Sequence, residues 1–328
     1  MTILLKALAV RFVALAATQQ LRPLALRCTR RSWLAMSAAA FAGCTSKVAK
    51  TGDRIVDTVT GVTLSPADVA RRMRDAEIVL LGELHDNPHH HARRAALLAA
   101  LGAPTPVVVE HLPRGSAPAL ATGMTGDALR AALQASGFDI KGWRWPLHEP
   151  LFAAIARAGM PLRGGNLERD AARRLAREGA DVLPAELVPW IAAAPLTSNA
   201  RAALEHDLMQ GHCGHLSASR MPGMVAAQQG RDAAMAHSLM EQLKLSPSTP
   251  GLRPVILLAG NGHVRRDYGV PALLSRRLPR AHVLTIGFDE PASTPERQHT
   301  LYDIVWTTPA AARDDPCKAF TTPAPARV

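Results

Sequence analysis

Short apolar runs that alternate with helical stretches constrain the fold of this chain more than any other feature. Two runs cover residues 78–81 and 106–109, and a weaker strand pattern follows at 161–165, with helical stretches at 92–101 and 150–158 between them. Short uninterrupted apolar runs are typical of strands that are buried on both faces of a parallel sheet. The repeated strand–helix–strand order therefore predicts an α/β fold with a mostly parallel sheet flanked by helices.

The alternation stops after residue 167 and resumes near residue 250. Residues 168–178, 185–193, 198–210 and 222–243 all have helical spacing, as do residues 117–136 earlier in the chain, whereas strand patterns return at 255–259, 282–288 and 304–306. We therefore predict an α/β domain made of residues 44–166 and 250–307, with a helical insertion at 167–249 that caps the carboxyl-end rim of the sheet. Residues 308–328 are rich in Ala and Pro, and this composition predicts a disordered tail.

The N-terminal segment, residues 1–43, has the order of an export signal. It contains six Lys and Arg residues and no Asp or Glu, so it contributes more than half of the formal net charge of +11. Arg30 and Arg31 precede an apolar stretch at 33–42, and Cys44 follows that stretch directly. The order resembles a bacterial lipoprotein signal with a twin-arginine motif. We expect Cys44 to be lipidated and to anchor a cell-envelope protein that faces the periplasm or the cell surface; an uncleaved anchor is the alternative.

The distribution of charge and the number of cysteines argue against a nucleic-acid-binding protein and against a thiolate zinc site. Lys and Arg do not cluster with aromatic residues, so we expect no nucleic-acid partner. Cys28 falls in the signal and Cys44 at its end, which leaves Cys213 and Cys317. These two can pair in an oxidising periplasm, and they are too few for a thiolate zinc site.

Polar residues follow the strands at one predicted edge of the sheet. Gly-x-x-His occurs twice directly after an apolar run, and the two motifs end in His85 and His263. Glu110 ends a further strand, and Asn166 ends another. The carboxyl ends of parallel strands open on the same rim, so these side chains should meet there. We attribute the glycine of each motif to a sharp turn with unusual φ.

Five segments resemble a known family. LLGELHDNPHHH (80–91), VVVEH (107–111), Asn166, VAAQQGRDAAMA (225–236) and LLAGNGHVRRDYGVP (257–271) are similar to the ChaN-type haem-binding uptake lipoproteins. That family belongs to the Tiki, TraB and erythromycin-esterase superfamily, which is defined by paired Gly-x-x-His motifs and strand-end glutamates. The resemblance covers residues 53–306. It implies haem binding at the cell envelope, linked to iron uptake, and leaves the oligomeric state open, a homodimer included.

By this resemblance, His85 and His263 are the main candidates for binding the cofactor, with Glu83 and Glu110 beside them. Haem iron takes an axial His or Tyr, and Tyr268 is the tyrosine candidate. We expect haem to be bound without catalysis, with Asn166 in the site. Arg265 and Arg266 follow His263 and are expected to bind the haem propionates.

The alternative hypothesis is a metal-dependent hydrolase that uses the same rim. Glu83 or Glu110 would be the general base, and His85 and His263 would bind Zn²⁺ or Mn²⁺ together with the two glutamates.

Other polar residues have simpler interpretations. Residues 89–91, three histidines, are either a solvated first helical turn or further ligands. His212 and His215 flank Cys213 and resemble a second metal cluster without an identified partner. Gln228, Arg231 and Asp232 are expected to form hydrogen bonds between helices, with ligand contact as the alternative.

Overall fold

Seven strands form one sheet in the order β1-β7-β6-β2-β5-β3-β4. This computed structural model describes residues 52–245, 254–291, 300–315 and 317–318. The strands are β1 (Arg54–Asp57), β2 (Ile78–Leu81), β3 (Val107–Pro113), β4 (Leu162–Asn166), β5 (Val255–Leu258), β6 (Val283–Asp289) and β7 (Ile304–Thr307). β1 is antiparallel to β7, and every other pairing is parallel. The predicted mostly parallel α/β sheet is confirmed.

Helices cover both faces of this sheet. They are α1 (Pro66–Asp75), α2 (Pro88–Leu101), α3 (Gly126–Ala135), α4 (Glu149–Arg157), α5 (Arg169–Glu178), α6 (Val188–Ala193), α7 (Ser198–Gly211), α8 (Met221–Leu245), α9 (Asn261–Val264) and α10 (Val270–Arg277), with a short 3₁₀ turn at Ala180–Val182. Successive side chains of a strand point to opposite faces. Val79 and Leu81 of β2 accordingly pack in one apolar layer with α1, α2 and α4, whereas Ile78 and Leu80 pack in the other with α5, α8 and α10.

The four helices α5 to α8 lie between β4 and β5, where the sequence predicts a helical insertion. α8 is 25 residues long and contributes Met235 and Leu239 to the apolar layer on the sheet. α7 packs separately: its Leu204 joins Val225 and Tyr268 in a small cluster. Of these four helices, α5, α6 and α8 contribute side chains to the apolar layer on the sheet, whereas α7 packs in the separate cluster.

One predicted helix differs from the structure, and three short elements were not predicted. The helix expected at 117–136 begins only at Gly126, because Pro118 and Gly123, which has φ +78°, interrupt its first part. β1 and the helices α9 and α10 have no counterpart in the sequence analysis. α10 has only eight residues and a proline in its first turn, and β1 has only four residues, so periodicity gives little signal for them.

The start of the predicted disordered tail is ordered. Thr308 donates its backbone N–H to Asp289 O at 2.8 Å, and Pro309 O accepts from Asn87 Nδ2 at 3.1 Å. A disulfide joins Cys213 to Cys317. Residues 308 and 309 are therefore hydrogen-bonded to the domain, whereas residues 312–315 are exposed.

The predicted signal segment and Cys44 lie outside the described residues. Within the described ranges, none of the helices combines the length and the apolar character that crossing a bilayer would require.

Candidate functional site

The carboxyl ends of β2, β3 and β5 bring two histidines and two glutamates together. Glu110 lies between the two Gly-x-x-His motifs: its Oε1 is 3.3 Å from His263 Nε2, and its Oε2 is 3.9 Å from His85 Nε2. His85 Nδ1 donates to Glu83 Oε1 at 2.8 Å. The structure thus connects His263, Glu110, His85 and Glu83 in one row along the rim, as a parallel sheet predicts.

The glycines of the motifs are required for space rather than for an unusual φ. Gly260 has φ −64° and ψ 154°, which any residue can adopt. A Cβ at Gly260 would lie 2.9 Å from His85 Nε2, and a Cβ at Gly82 would lie 2.2 Å from Asn261 Oδ1. The close approach also allows the backbone N–H of Gly260 to donate to Glu110 Oε2 at 2.7 Å. The explanation from turn geometry is therefore wrong.

His263 is a buried cation with both ring nitrogens engaged. Its Nδ1 donates to Asp232 Oδ1 at 2.6 Å, and Gln228 Nε2 lies 3.0 Å from the same nitrogen. Burial alone would lower the pKa of His263, but Glu110 and Asp232 together raise it well above its usual range. Both ring nitrogens of His263 are therefore placed to donate to carboxylates, Nδ1 to Asp232 and Nε2 to Glu110.

The two carboxylates beside His263 respond in opposite directions. Burial would raise the pKa of Glu110, but the nearby His263 and His85 hold the pKa well below its usual range. For Asp232, burial outweighs the attraction of His263 and raises the pKa to about 6. Asp232 lies in α8 and His263 in α9, so their hydrogen bond is a link between helices of the kind that the sequence predicts for Asp232.

Glu83 is surrounded by a buried polar cluster that the sequence analysis largely missed. Arg94 of α2 contacts Glu83 Oε2, and both side chains are fully buried. His111 Nε2 and His148 Nε2 each lie 3.5 Å from Glu83 Oε1. Only His111 offered a signal, because it directly follows the strand-end Glu110 in VVVEH.

The histidines of the first turn of α2 are not solvated as a group. His90 and His91 are fully buried, and only His89 is partly exposed. His91 Nε2 donates to His85 O at 3.1 Å, which leaves Nδ1 to accept from Arg94 Nη2 at 3.2 Å. Burial lowers the pKa of His91 to about 4, so the ring is neutral. This turn fixes the loop that carries His85.

Glu83, His91 and His148 have the spacing of a metal site, because one potential ligand atom of each lies within 4.8 Å of the others. However, Arg94 contacts the carboxylate and lies 3.2 Å from His91 Nδ1. Burial lowers the pKa of Arg94 only to about 9, so the guanidinium keeps its charge at neutral pH. The cation that Glu83 needs is already provided by the protein, and a divalent ion fits this cluster poorly.

A cavity of about 620 Å³ opens above the rim. His85, Trp143, Arg144, Leu208, His212 and Arg313 are among the residues that line it. The side chain of His85 is 46% exposed, and its ring lies edge-on to Trp143 at a centroid distance of 5.0 Å. The cavity extends from the sheet rim to the end of α7.

The expected propionate and tyrosine ligands are engaged elsewhere. Arg265 pairs with Asp207 and with Asp267, the latter at 2.7 Å, and Arg266 pairs with Asp303 at 2.6 Å. Neither arginine is among the residues that line the cavity.

Tyr268 reaches the cavity but is only 4% exposed, and its hydroxyl donates to Asp207 Oδ2 at 2.6 Å. Burial raises its pKa far above the usual range, which disfavours the phenolate that would bind iron. Asn166 holds the backbone instead, since its Nδ2 donates to Glu110 O at 3.0 Å.

Several solved structures are similar to this chain at low sequence identity. A structure of Campylobacter jejuni ChaN with cofacial haem binding is similar with a TM-score of 0.60 and 20% identity, over 79% of this chain and 97% of that chain. The type III effector HopBA1 has a TM-score of 0.40 and 16% identity, over 75% and 94% of the two chains. The erythromycin esterase EreC has a TM-score of 0.37 and 16% identity, over 77% and 81%.

No curated protein matches the sequence. Residues 69–274, however, match the family described as haem-binding uptake, Tiki superfamily, ChaN. This match spans both Gly-x-x-His motifs, the strand-end glutamates and the helical insertion. The chain therefore belongs to the haem-binding uptake family of the Tiki superfamily, ChaN.

Proposed function

We propose that this protein binds haem non-catalytically in the bacterial cell envelope and serves haem or iron uptake. One observation carries the proposal. His85 lines the cavity, its side chain is 46% exposed, and its Nδ1 is held by Glu83 at 2.8 Å. A histidine whose second nitrogen is fixed by a carboxylate is the usual arrangement of a metal-binding imidazole.

The cavity has the size and lining that a porphyrin requires. Its volume of about 620 Å³ lies in the range of small-molecule sites. Leu84, Trp143, Leu204 and Leu208 provide apolar contact for the faces of the ring. These residues come from the β2 loop, from the segment before α4 and from α7, so the helical insertion completes the site.

Two arginines at the cavity fit the propionates better than Arg265 and Arg266 do. Arg144 has φ +50°, its side chain is 66% exposed, and it lies 4.0 Å from Asp86 Oδ2. Arg313 lies at the same cavity and pairs with Asp86 at 3.0 Å. Because the pair of Arg144 is loose, its guanidinium is available for a charge-assisted hydrogen bond to a carboxylate.

The N-terminal pattern and the family support a location in the cell envelope. We propose that Cys44 is lipidated after removal of residues 1–43 and that the protein is thereby held at a membrane. We also propose that residues 167–249 form a helical insertion in the α/β domain and that the protein forms a homodimer.

A metal-dependent hydrolase has less support. Glu83 is already neutralised by Arg94, and His263 is protonated with both ring nitrogens engaged. The four residues expected to bind Zn²⁺ or Mn²⁺ therefore do not provide two free imidazoles and two free carboxylates.

Haemin titration of the purified protein tests the proposal. We expect a shifted Soret band in the wild type and loss of that shift in His85→Ala, because the iron loses its imidazole ligand. His89→Ala is the matched control, since His89 is also in the His-rich segment but is not among the residues that line the cavity. Arg144→Ala should weaken haemin binding without moving the Soret band. An unshifted wild-type spectrum at micromolar haemin would exclude the proposed function.

A further inference from the structure

The chain enters the described domain at one end of the sheet. β1 is the terminal strand of the seven, and its neighbour in the sheet is β7. Asp53, directly before β1, accepts from Trp306 Nε1 at 3.0 Å and from Arg93 Nε at 2.5 Å. These bonds hold the start of the domain to the terminal strand, so the segment before residue 52 leaves the domain from this side.

A turn with two exposed valines follows β1 on the same side. The chain reverses after β1, and Thr63 pairs with Val56 on the way back. Val59 is 80% exposed and Val62 is 55% exposed. A single exposed apolar side chain is ordinary on a protein surface, whereas apolar side chains grouped in one place indicate a contact.

The buried Asp57 holds this turn in shape. Its Oδ1 accepts the backbone N–H of Val59 at 3.0 Å and that of Thr60 at 2.7 Å. Gly61, which has φ +71°, donates its N–H to Asp57 O at 2.9 Å. The Asp57 carboxylate also pairs with Arg72 of α1. The valines are therefore carried by a turn that is fixed to the domain by hydrogen bonds and an ion pair.

The segment between the expected lipid and the domain is short. Eight positions separate Cys44 from Gly52, and eight residues span at most about 26–29 Å. Val59 is seven positions beyond Gly52 and hence at most about 25 Å from it. β4, at the opposite end of the sheet, is six strand spacings or about 29 Å from β1. A lipid on Cys44 can thus bring the turn against a bilayer, whereas β4 lies at the limit of its reach.

A cation accompanies the valines at this end of the sheet. Arg54, the first residue of β1, is exposed. Anionic lipids attract cations near the bilayer surface, and apolar side chains enter the boundary between headgroups and acyl chains. A bilayer surface therefore fits the chemistry of the turn and of Arg54 together.

We propose that the turn at residues 58–62 lies on the membrane that holds the lipid, with Val59 and Val62 at the boundary between headgroups and acyl chains; this rests on the lipidation of Cys44 proposed above. The domain is then held at two points, the lipid and the turn. Two points of attachment fix its orientation, with β1 towards the bilayer and β4 away from it.

A fluorophore on the turn tests this contact. Cys44 carries the lipid on its sulfur and Cys213 is joined to Cys317, so an added cysteine supplies the free thiol of the mature chain. Thr60→Cys places a polarity-sensitive fluorophore at the exposed tip of the turn, and Arg157→Cys places it at the exposed end of α4, shortly before β4. The lipidated proteins are reconstituted in vesicles of phosphatidylethanolamine and phosphatidylglycerol that contain a spin-labelled lipid as quencher. We expect several-fold stronger quenching at position 60 than at position 157.

Replacing the valines separates a specific contact from mere proximity to the lipid. Val59→Asp combined with Val62→Asp should abolish the quenching at position 60, because carboxylates leave the apolar boundary, while the lipid still holds the protein on the vesicles. Val188→Asp is the matched control. Val188 is also an exposed valine, at 47%, but it lies on α6, so its replacement should leave the quenching unchanged. Circular dichroism shows whether each variant keeps its fold.

The outcomes distinguish this contact from the anchor on which it rests. A lipidated protein with equal quenching at positions 60 and 157, or with none at position 60, would overturn the contact and leave the anchor in place. Quenching that survives the paired Asp substitutions would do the same. A protein that never carries the lipid would overturn the anchor, and the contact with it. Haem binding is measured separately by the Soret band and is untouched by either result.

Discussion

The buried ion pair between Arg94 and Glu83 affects both the stability of the domain and the geometry of the site. Both side chains are fully buried, and Glu83 in turn orients His85. Desolvation makes a buried pair costly to form, but removing one partner leaves an uncompensated charge in a medium of low dielectric constant. The pair therefore links the stability of the domain to the geometry of the proposed haem ligand.

Replacing Arg94 should be far more destabilising than replacing an exposed arginine. For Arg94→Met we expect a loss of about 3–5 kcal/mol in the free energy of unfolding, because Glu83 remains buried without its cation. Arg71→Met is the control: Arg71 is 62% exposed and pairs with Asp68 within α1, so a loss of at most about 0.5 kcal/mol is expected. Urea unfolding of the two variants measures the difference, and equal losses would contradict the assigned role of Arg94.

The sequence predicts site residues well where position along a strand decides them. Glu83, His85 and Glu110 follow from their places at strand ends, and the structure brings them together. Arg265 and Arg266 were expected at the propionates because they follow His263. Arg265 pairs with the neighbouring Asp267 and with Asp207, 58 positions away, and Arg266 pairs with Asp303, 37 positions away; the distant partners cannot be inferred from neighbouring residues.

At the scale of elements, the first turn of α2 makes the stability of the fold depend on pH, because one of its histidines holds the loop at the rim. His90 Nδ1 accepts the backbone N–H of Leu84 at 3.0 Å, so the folded state requires this nitrogen to be unprotonated. Burial lowers the pKa of His90 from 6.5 to about 4. Between these two values the unfolded chain binds more protons than the folded chain, so stability is present above pH 6.5 and is lost as the pH falls towards 4.

A variant without this titratable group should be less sensitive to acid. His90 contributes a loss of about 1–2 kcal/mol in the free energy of unfolding between pH 7 and pH 5. In His90→Gln that contribution is absent, while His91, whose pKa burial also lowers to about 4, still contributes. Urea unfolding at the two pH values measures both proteins. The same pH dependence in the variant as in the wild type would show that His90 is not the group responsible.

Long regular elements were predictable and short ones were not. The apolar runs of β2 and β5 and the spacing of α7 and α8 predict elements close to those observed. β1 is recognised only through its antiparallel pairing with β7, about 250 positions later, so local sequence does not indicate it. The buried cluster around Glu83 was missed for the same reason, since His148 joins it from the turn before α4.

At the scale of the whole molecule, the sequence pattern of residues 1–44 predicts a protein attached to a membrane by its N-terminus. In Cys44→Ser the acceptor of the lipid is lost, and we expect the protein to move from the membrane fraction to the soluble fraction of the envelope. Cys28→Ser is the control, because Cys28 lies before the apolar stretch of the signal and should not affect anchoring. Fractionation with mass spectrometry of the N-terminus measures both, and an intact segment 1–43 in envelope protein would refute lipidation.

The bond between Cys213 and Cys317 turns part of the chain into a closed ring. The two cysteines are 104 positions apart, and the ring contains α8 and the strands β5, β6 and β7. A closed ring cannot be threaded end-first through a pore that admits a single extended strand. The order of export and disulfide formation therefore depends on the route proposed for the chain. A chain that is threaded through a pore must form the disulfide after crossing, whereas a chain whose disulfide is already formed must cross as a folded body.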